Sequence, residues 1–159
     1  MCELDKKLFM QEAVDAAISG MDNNEGGPFG CIIVKDGKIV GRGNNKVTST
    51  NDPTAHAEVT AIRDACKNLD TFQLEGCEIY TSCEPCPMCL GAIYWARPDK
   101  VYYGSNQIDA ANIGFDDAFI YKEIPLPYEK RSIPFKQLGR DIAIEAFKKW
   151  ETKMDKTEY

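Results

Sequence analysis

Histidine is nearly absent from this sequence: one imidazole, His56, stands among 159 residues, so any histidine chemistry must pass through it. An apolar run of the roughly 20 residues that span a bilayer is missing too. The opening stretch MCELDKKLFMQEAVDAA mixes acids and bases into its apolar positions, unlike a secretory leader. These absences predict a cytoplasmic chain with no membrane partner. Positive charge is also scarce. Lys and Arg number 19 against 25 Asp and Glu, a formal charge of −6, so the chain has no cationic field with which to capture a phosphate backbone. Long nucleic acids are not expected partners. Internal repeats, low-complexity tracts and linkers are lacking as well, which predicts a single domain over residues 1–159.

What is present is ordinary globular composition, 43% hydrophobic and 28% charged, enough for one core. Seven cysteines without an export signal point to reduced thiols, so close spacing suggests metal binding or packing before disulfides. Cys2, Cys31, Cys66 and Cys77 are scattered and are expected in or near the core.

The apolar period predicts a helix over residues 5–21, with Met10, Val14, Ala17 and Met21 recurring beside Phe9, Ala13 and Ala16. In GCIIVKDGKIVGRG the pair Asp36-Gly37 separates two β-branched runs, a hairpin signal. A second helix is expected from about Thr54 to Leu69, with Asp52 as its cap before Pro53 and His56 in its first turn. CEIYTS reads as a buried strand, CPMCLGAIYWA as a helix and KVYYGS as a strand, a sequence that implies a parallel crossover. Short helical pieces are expected between Asn106 and Lys122, Gly114 ending one and Asp116 or Asp117 opening the next. Ala143, Phe147, Trp150 and Met154 form a C-terminal helical stripe.

The chemistry concentrates in Thr54-Ala55-His56-Ala57-Glu58 and, some thirty residues later, Pro85-Cys86-Pro87-Met88-Cys89. A Cys-x-x-Cys pair at a helix start offers two thiolates to one ion, and the positive helix end favours their ionised form. With His56 they make three ligands, which leave a tetrahedral zinc, one per chain, with a free corner for a water whose pKa falls to about 7. Glu58 can then carry protons from that water to a ring nitrogen and a departing amine. Residues two apart on a regular helix diverge, so His56 and Glu58 converge only if His56 lies at the helix entrance. A closed structural site of Cys83, Cys86, Cys89 and His56 is the plainer alternative, against which stands the carboxylate beside the histidine. A redox reading of Cys86-Pro87-Met88-Cys89 leaves His56 and Glu58 unused.

His-x-Glu with a later Pro-Cys-x-x-Cys is the signature of zinc deaminases. At these residues the chain resembles the cytidine deaminase superfamily and, within it, the small bacterial guanine deaminases. The resemblance also rests on Gly26-Gly27-Pro28-Phe29-Gly30, NDPTAHAEVTAIR, YTSCEPCPMCLGAIYWARP, GFDDAFIYKEI and the terminal Tyr159. It implies a three-layer α/β/α sandwich around a mixed five-stranded sheet. It further implies a homodimer whose C-terminal segments, about residues 140–159, exchange between subunits. Only four strands are read from the residues; SIPFKQLG could hold a fifth, though Pro134 makes it a poor central strand.

The implied substrate is a small purine base, guanine, hydrolysed to xanthine and ammonia. By the same resemblance Phe29, Asn45, Trp95, Asp117 and a partner's Tyr159 hold the base. Taken alone, Phe29 and Trp95 read as core aromatics, Asn45 as a turn residue, Asp117 as a helix-start acid and Tyr159 as a frayed end. Other amino-substituted rings, cytosine, guanosine or adenosine of transfer RNA, stay open as substrates, and so does a non-catalytic zinc module.

Overall fold

A computed structural model describes residues 2–159. Contacts divide the chain after Ala118 into two compact units. The first begins with helix α1 (Glu3–Asp22), then strands β1 (Gly30–Lys35) and β2 (Lys38–Asn44), a one-turn helix α2 (Val47–Thr50) and helix α3 (Ala57–Leu69). Strand β3 (Cys77–Cys83), helix α4 (Pro87–Ala96), strand β4 (Lys100–Ser105) and short helix α5 (Gln107–Asn112) complete it.

The four strands are ordered β2-β1-β3-β4. β1 runs antiparallel to β2 and β3, whereas β3 and β4 are parallel, so the sheet is mixed. The hairpin forms where expected: Asp36 and Gly37 take φ of 49° and 73°, the two positive values that a tight turn matched to strand twist requires. Two-residue alternation then sorts side chains to opposite faces. Ile32, Val34 and Tyr80 pack with Ala13, Phe9 and Met10 of α1. Cys31, Ile33 and Ile79 face Ala57, Ala61 and Ala65 of α3 and Ile93 and Ala96 of α4. The result is helix, sheet, helix in three layers.

The α3 layer sits close because β2 carries glycine where it meets the helix. A Cβ on Gly43 would lie 2.4 Å from the Ala57 carbonyl oxygen and 2.4 Å from the Ala61 nitrogen, and one on Gly41 would meet the Ala65 Cβ at 2.6 Å. These two glycines, with the small residues Ala57, Ala61 and Ala65, set the depth at which the start of α3 rests.

Four strands, not five, form the sheet among the described residues. The segment containing Pro134, expected to offer a fifth, has no strand structure; proline cannot donate to a ladder. α3 starts at Ala57, later than expected. Asp52 does not cap it: its Oδ1 accepts from the Thr54 amide at 2.8 Å and the Thr54 hydroxyl at 2.6 Å, closing a local turn first. Met21 lies exposed at the end of the predicted α1 stripe, and Cys2 is exposed whereas Cys31 and Cys77 are buried.

The second unit holds α6 (Ala118–Glu123, entered from the last residue of the first unit), a 3-10 turn (Tyr128–Lys130) and α7 (Arg140–Thr152). Within it Arg131 stacks over Tyr128 and Phe135 and donates to the carbonyls of Ile124 and Leu126. Phe147 and Trp150 of the predicted stripe are exposed, and Met154 falls past the helix end. No described helix is long and apolar enough to cross a membrane.

Candidate metal and catalytic centre

Two helix starts meet beyond the carboxyl end of β3. His56 is the N-cap of α3, with extended backbone (φ −70°, ψ 159°), and Glu58 is in the first helical turn. Cys86 is the N-cap of α4, Pro87 opens the helix and Cys89 follows in its first turn. Proline suits that position because its missing N–H would be unpaired there anyway. The extended conformation of His56 breaks the helical spacing, which lets an imidazole and a carboxylate two residues apart turn to one place.

The His56 Nδ1 lies 3.5 Å from the sulfur of Cys86 and 3.5 Å from that of Cys89. Zinc bonds of about 2.3 Å to sulfur and about 2.0–2.1 Å to nitrogen, meeting at a tetrahedral angle, hold nitrogen and sulfur about 3.5 Å apart. The donor set therefore fits zinc in chemistry and spacing. Among the described residues these three are the one group whose ligand atoms lie together within 4.8 Å. Cys83 is outside it; its thiol points to the Asn106 carbonyl at 3.7 Å, so the closed four-residue site is not formed.

The electrostatics suit a cation. The Cys86 thiol is lowered to about 4 by the hydrogen bond from Cys89 and, against burial, by His56. His56 is raised by its bond with Cys86, with burial opposing and the charges of Glu58 and Asp117 assisting. Cys89 is raised by its bond to Cys86, by burial and by Glu58. Negative charge is thus crowded, and the positive ends of two helices meet it.

Glu58 is 6% exposed, and burial raises its carboxyl above the usual range. Its Oε2 accepts from the Cys89 thiol at 3.3 Å and its Oε1 from the Thr81 hydroxyl at 3.3 Å. Thr81 went unremarked in the sequence because nothing marks a mid-strand threonine; its pairing opposite Cys31 across β1 and β3 places it under the start of α3.

The remaining predicted residues fall as follows. Asn45 is buried, and its Oδ1 accepts from the amides of Gly27 (3.3 Å) and Val47 (3.2 Å), which fixes the orientation of its amide. Phe29 packs on the core and meets Phe115 edge to face, centroids 4.9 Å apart. Asp117 immediately precedes α6 and is partly buried. Burial and then the charge of Cys86 raise its carboxyl above the usual range. Trp95, on α4, is 66% exposed instead of buried in the core. Tyr159 ends the second unit, 70% exposed.

Residues 4–105 match the family model described as the cytidine and deoxycytidylate deaminase zinc-binding region. The chain belongs to this zinc-binding deaminase family. It is 55% identical to the guanine deaminase of Bacillus subtilis (strain 168) over 98% of this chain and all of that one. An X-ray structure of guanine deaminase from that organism superposes with a TM-score of 0.95, covering 100% of this chain and 99% of that one at 55% identity. A tRNA-specific adenosine deaminase of Aquifex aeolicus is 43% identical over 63% of this chain and 66% of its own length. In this deaminase, a hydrolytic enzyme of the family, His56, Cys86 and Cys89 form the candidate zinc site.

Proposed function

We propose that the chain hydrolyses guanine to xanthine and ammonia, with His56, Cys86 and Cys89 as zinc ligands and Glu58 as proton carrier. The observation that carries this reading is the likeness to guanine deaminase over 98% of the chain, which extends far past the metal motifs that all branches share. The likeness to the tRNA enzyme spans 63%, and a charge of −6 opposes binding a phosphate chain.

Zinc bound there supplies an acidified water as nucleophile at neutral pH. Glu58, with Oε1 steadied by Thr81, takes one proton from the attacking water and delivers it to the adjoining ring nitrogen. It then takes the second from the hydroxyl now on C2 and delivers it to the amine as the C2–N bond breaks and the C2 carbonyl forms. Its burial suits the work, because a carboxyl raised toward neutrality can both accept and return a proton. Asp117 accepts from N1–H and the 2-amino group, a donor pair that adenine and cytosine lack. Asn45 offers Nδ2 to an acceptor on the base. Phe29 and Trp95 flank its faces.

The chain acts as a cytoplasmic homodimer of single-domain subunits. Residues 140–159 exchange so that Tyr159 covers the neighbouring site; exposed Ile142, Phe147 and Trp150 support a C-terminal helix that packs on another subunit.

The test is incubation of zinc-loaded protein with guanine, cytosine, adenosine and guanosine, following base loss and ammonia. Stoichiometric xanthine and ammonia from guanine is the expected result; failure to turn guanine over refutes the reading.

A further inference from the structure

We infer that Phe115 is a positioning residue for base recognition, clamping the loop that carries Asp117 onto the segment that holds Asn45. The inference rests on the guanine reading above and concerns the same site.

Helix α5, which leads into the loop before α6, is tied down at its own start. The Gln107 amide donates to Glu84 Oε2 at 3.1 Å, the Glu84 amide donates to the Ser105 carbonyl at 2.9 Å and Asn106 caps α5 through the amides of Ile108 and Asp109. The end of α5 then turns back. Gly114 takes φ of 93°, a value that strains any side chain, and the Phe115 amide donates to the Ala110 carbonyl at 3.0 Å. From that turn the Phe115 ring meets Phe29 with its plane at 90° and centroids 4.9 Å apart, the favoured edge-to-face arrangement. A Cβ on Gly27 would lie 2.9 Å from Phe115 Cζ and 3.3 Å from Phe29 Cδ2, so the ring rests against Gly27 as well.

Gly27 has a second role: its amide is one of the two that hold Asn45 Oδ1. The segment Gly27-Pro28-Phe29 therefore touches Asn45 on one side and Phe115 on the other. Asp117 follows Phe115 by two residues. The ring contact is thus what ties the donor-reading carboxylate to the acceptor-reading amide. At 45% exposed, Phe115 lies outside both buried core clusters. Its work is to hold a distance.

The experiment compares Phe115→Ala, Asp117→Asn and the double variant as zinc-loaded full-length protein, measuring guanine kcat, KM and zinc content. Phe115→Ala is expected to keep its zinc and lose roughly tenfold in kcat/KM, mainly through KM, a modest share of what misplacement by an ångström can cost. On the Asp117→Asn background the same change is expected to cost about twofold or less, because the residue it positions is already disabled. Wild-type kinetics in Phe115→Ala, or an equal loss on both backgrounds, overturns the inference while leaving guanine turnover by the parent protein intact. Should Phe115→Ala fail to fold or to keep zinc, Gly27→Ala decides: it presses on the ring without removing it. A raised KM for guanine that shrinks on the Asp117→Asn background supports the clamp, and unchanged KM overturns it. If the parent protein does not turn over guanine, the underlying reading fails instead.

Discussion

The Thr81 hydroxyl on β3 donates to Glu58 Oε1 on α3 at 3.3 Å in a buried hydrogen bond. This bond leaves Oε2 facing Cys89, one of the candidate zinc ligands, at 3.3 Å. A strand residue thereby aims a helix residue.

Thr81→Val keeps the shape and removes the donor. A bond of this kind is worth about 1 kcal/mol, so kcat for guanine is expected to fall about fivefold with zinc content unchanged. Steady-state kinetics alongside metal analysis checks it.

Glu58→Gln removes the proton carrier while keeping its size and its place beside Cys89. Turnover is expected to fall by about 10²- to 10⁴-fold, with one zinc per chain retained. An active Gln variant removes Glu58 from the mechanism.

The same residue should limit the stability of the metal-free protein. Unfolded, Glu58 ionises near the ordinary 4.5; folded, burial holds its carboxyl higher. The neutral form is favoured in the fold, so its contribution to stability is present below 4.5 and is lost as pH rises through the folded value. In the presence of a chelator, Glu58→Gln is therefore expected to gain in Tm over the parent as pH rises from the acid side toward neutrality. A Tm difference that does not grow with pH counts against this.

Much of this was legible in the residues. The Asp36-Gly37 hairpin, the β3-α4-β4 succession and the His56, Glu58, Cys86 and Cys89 constellation each have a local signal, either turn chemistry or fixed spacing. Asp52 misled because the same carboxylate that caps helices also closes Asx turns, and only the fold decides which amide it meets. The absence of a fifth strand at Pro134 agrees with its inability to donate to a ladder; the five strands came from the resemblance and not from the residues. Thr81 and Phe115 were silent because their roles come from long-range pairing, across β1 and β3 in one case and from a loop to Gly27 in the other.

Gly43→Ala tests the close approach of α3 to the sheet. Its Cβ would stand 2.4 Å from backbone atoms of Ala57 and Ala61, so the helix start that carries His56 and Glu58 must move. A loss of about 1–3 kcal/mol or more in chemical denaturation, with weakened zinc affinity, is expected. Unchanged stability and zinc affinity together contradict the packing argument.

The account turns on zinc held by one nitrogen and two sulfurs with a position left for water. Zinc-edge X-ray absorption on the loaded protein and on Cys83→Ser tests that most directly. The expected spectrum has two sulfurs at about 2.3 Å and lighter donors at about 2.0–2.1 Å, identical in both proteins. A third sulfur that disappears in Cys83→Ser, or a protein that takes up no zinc, contradicts it.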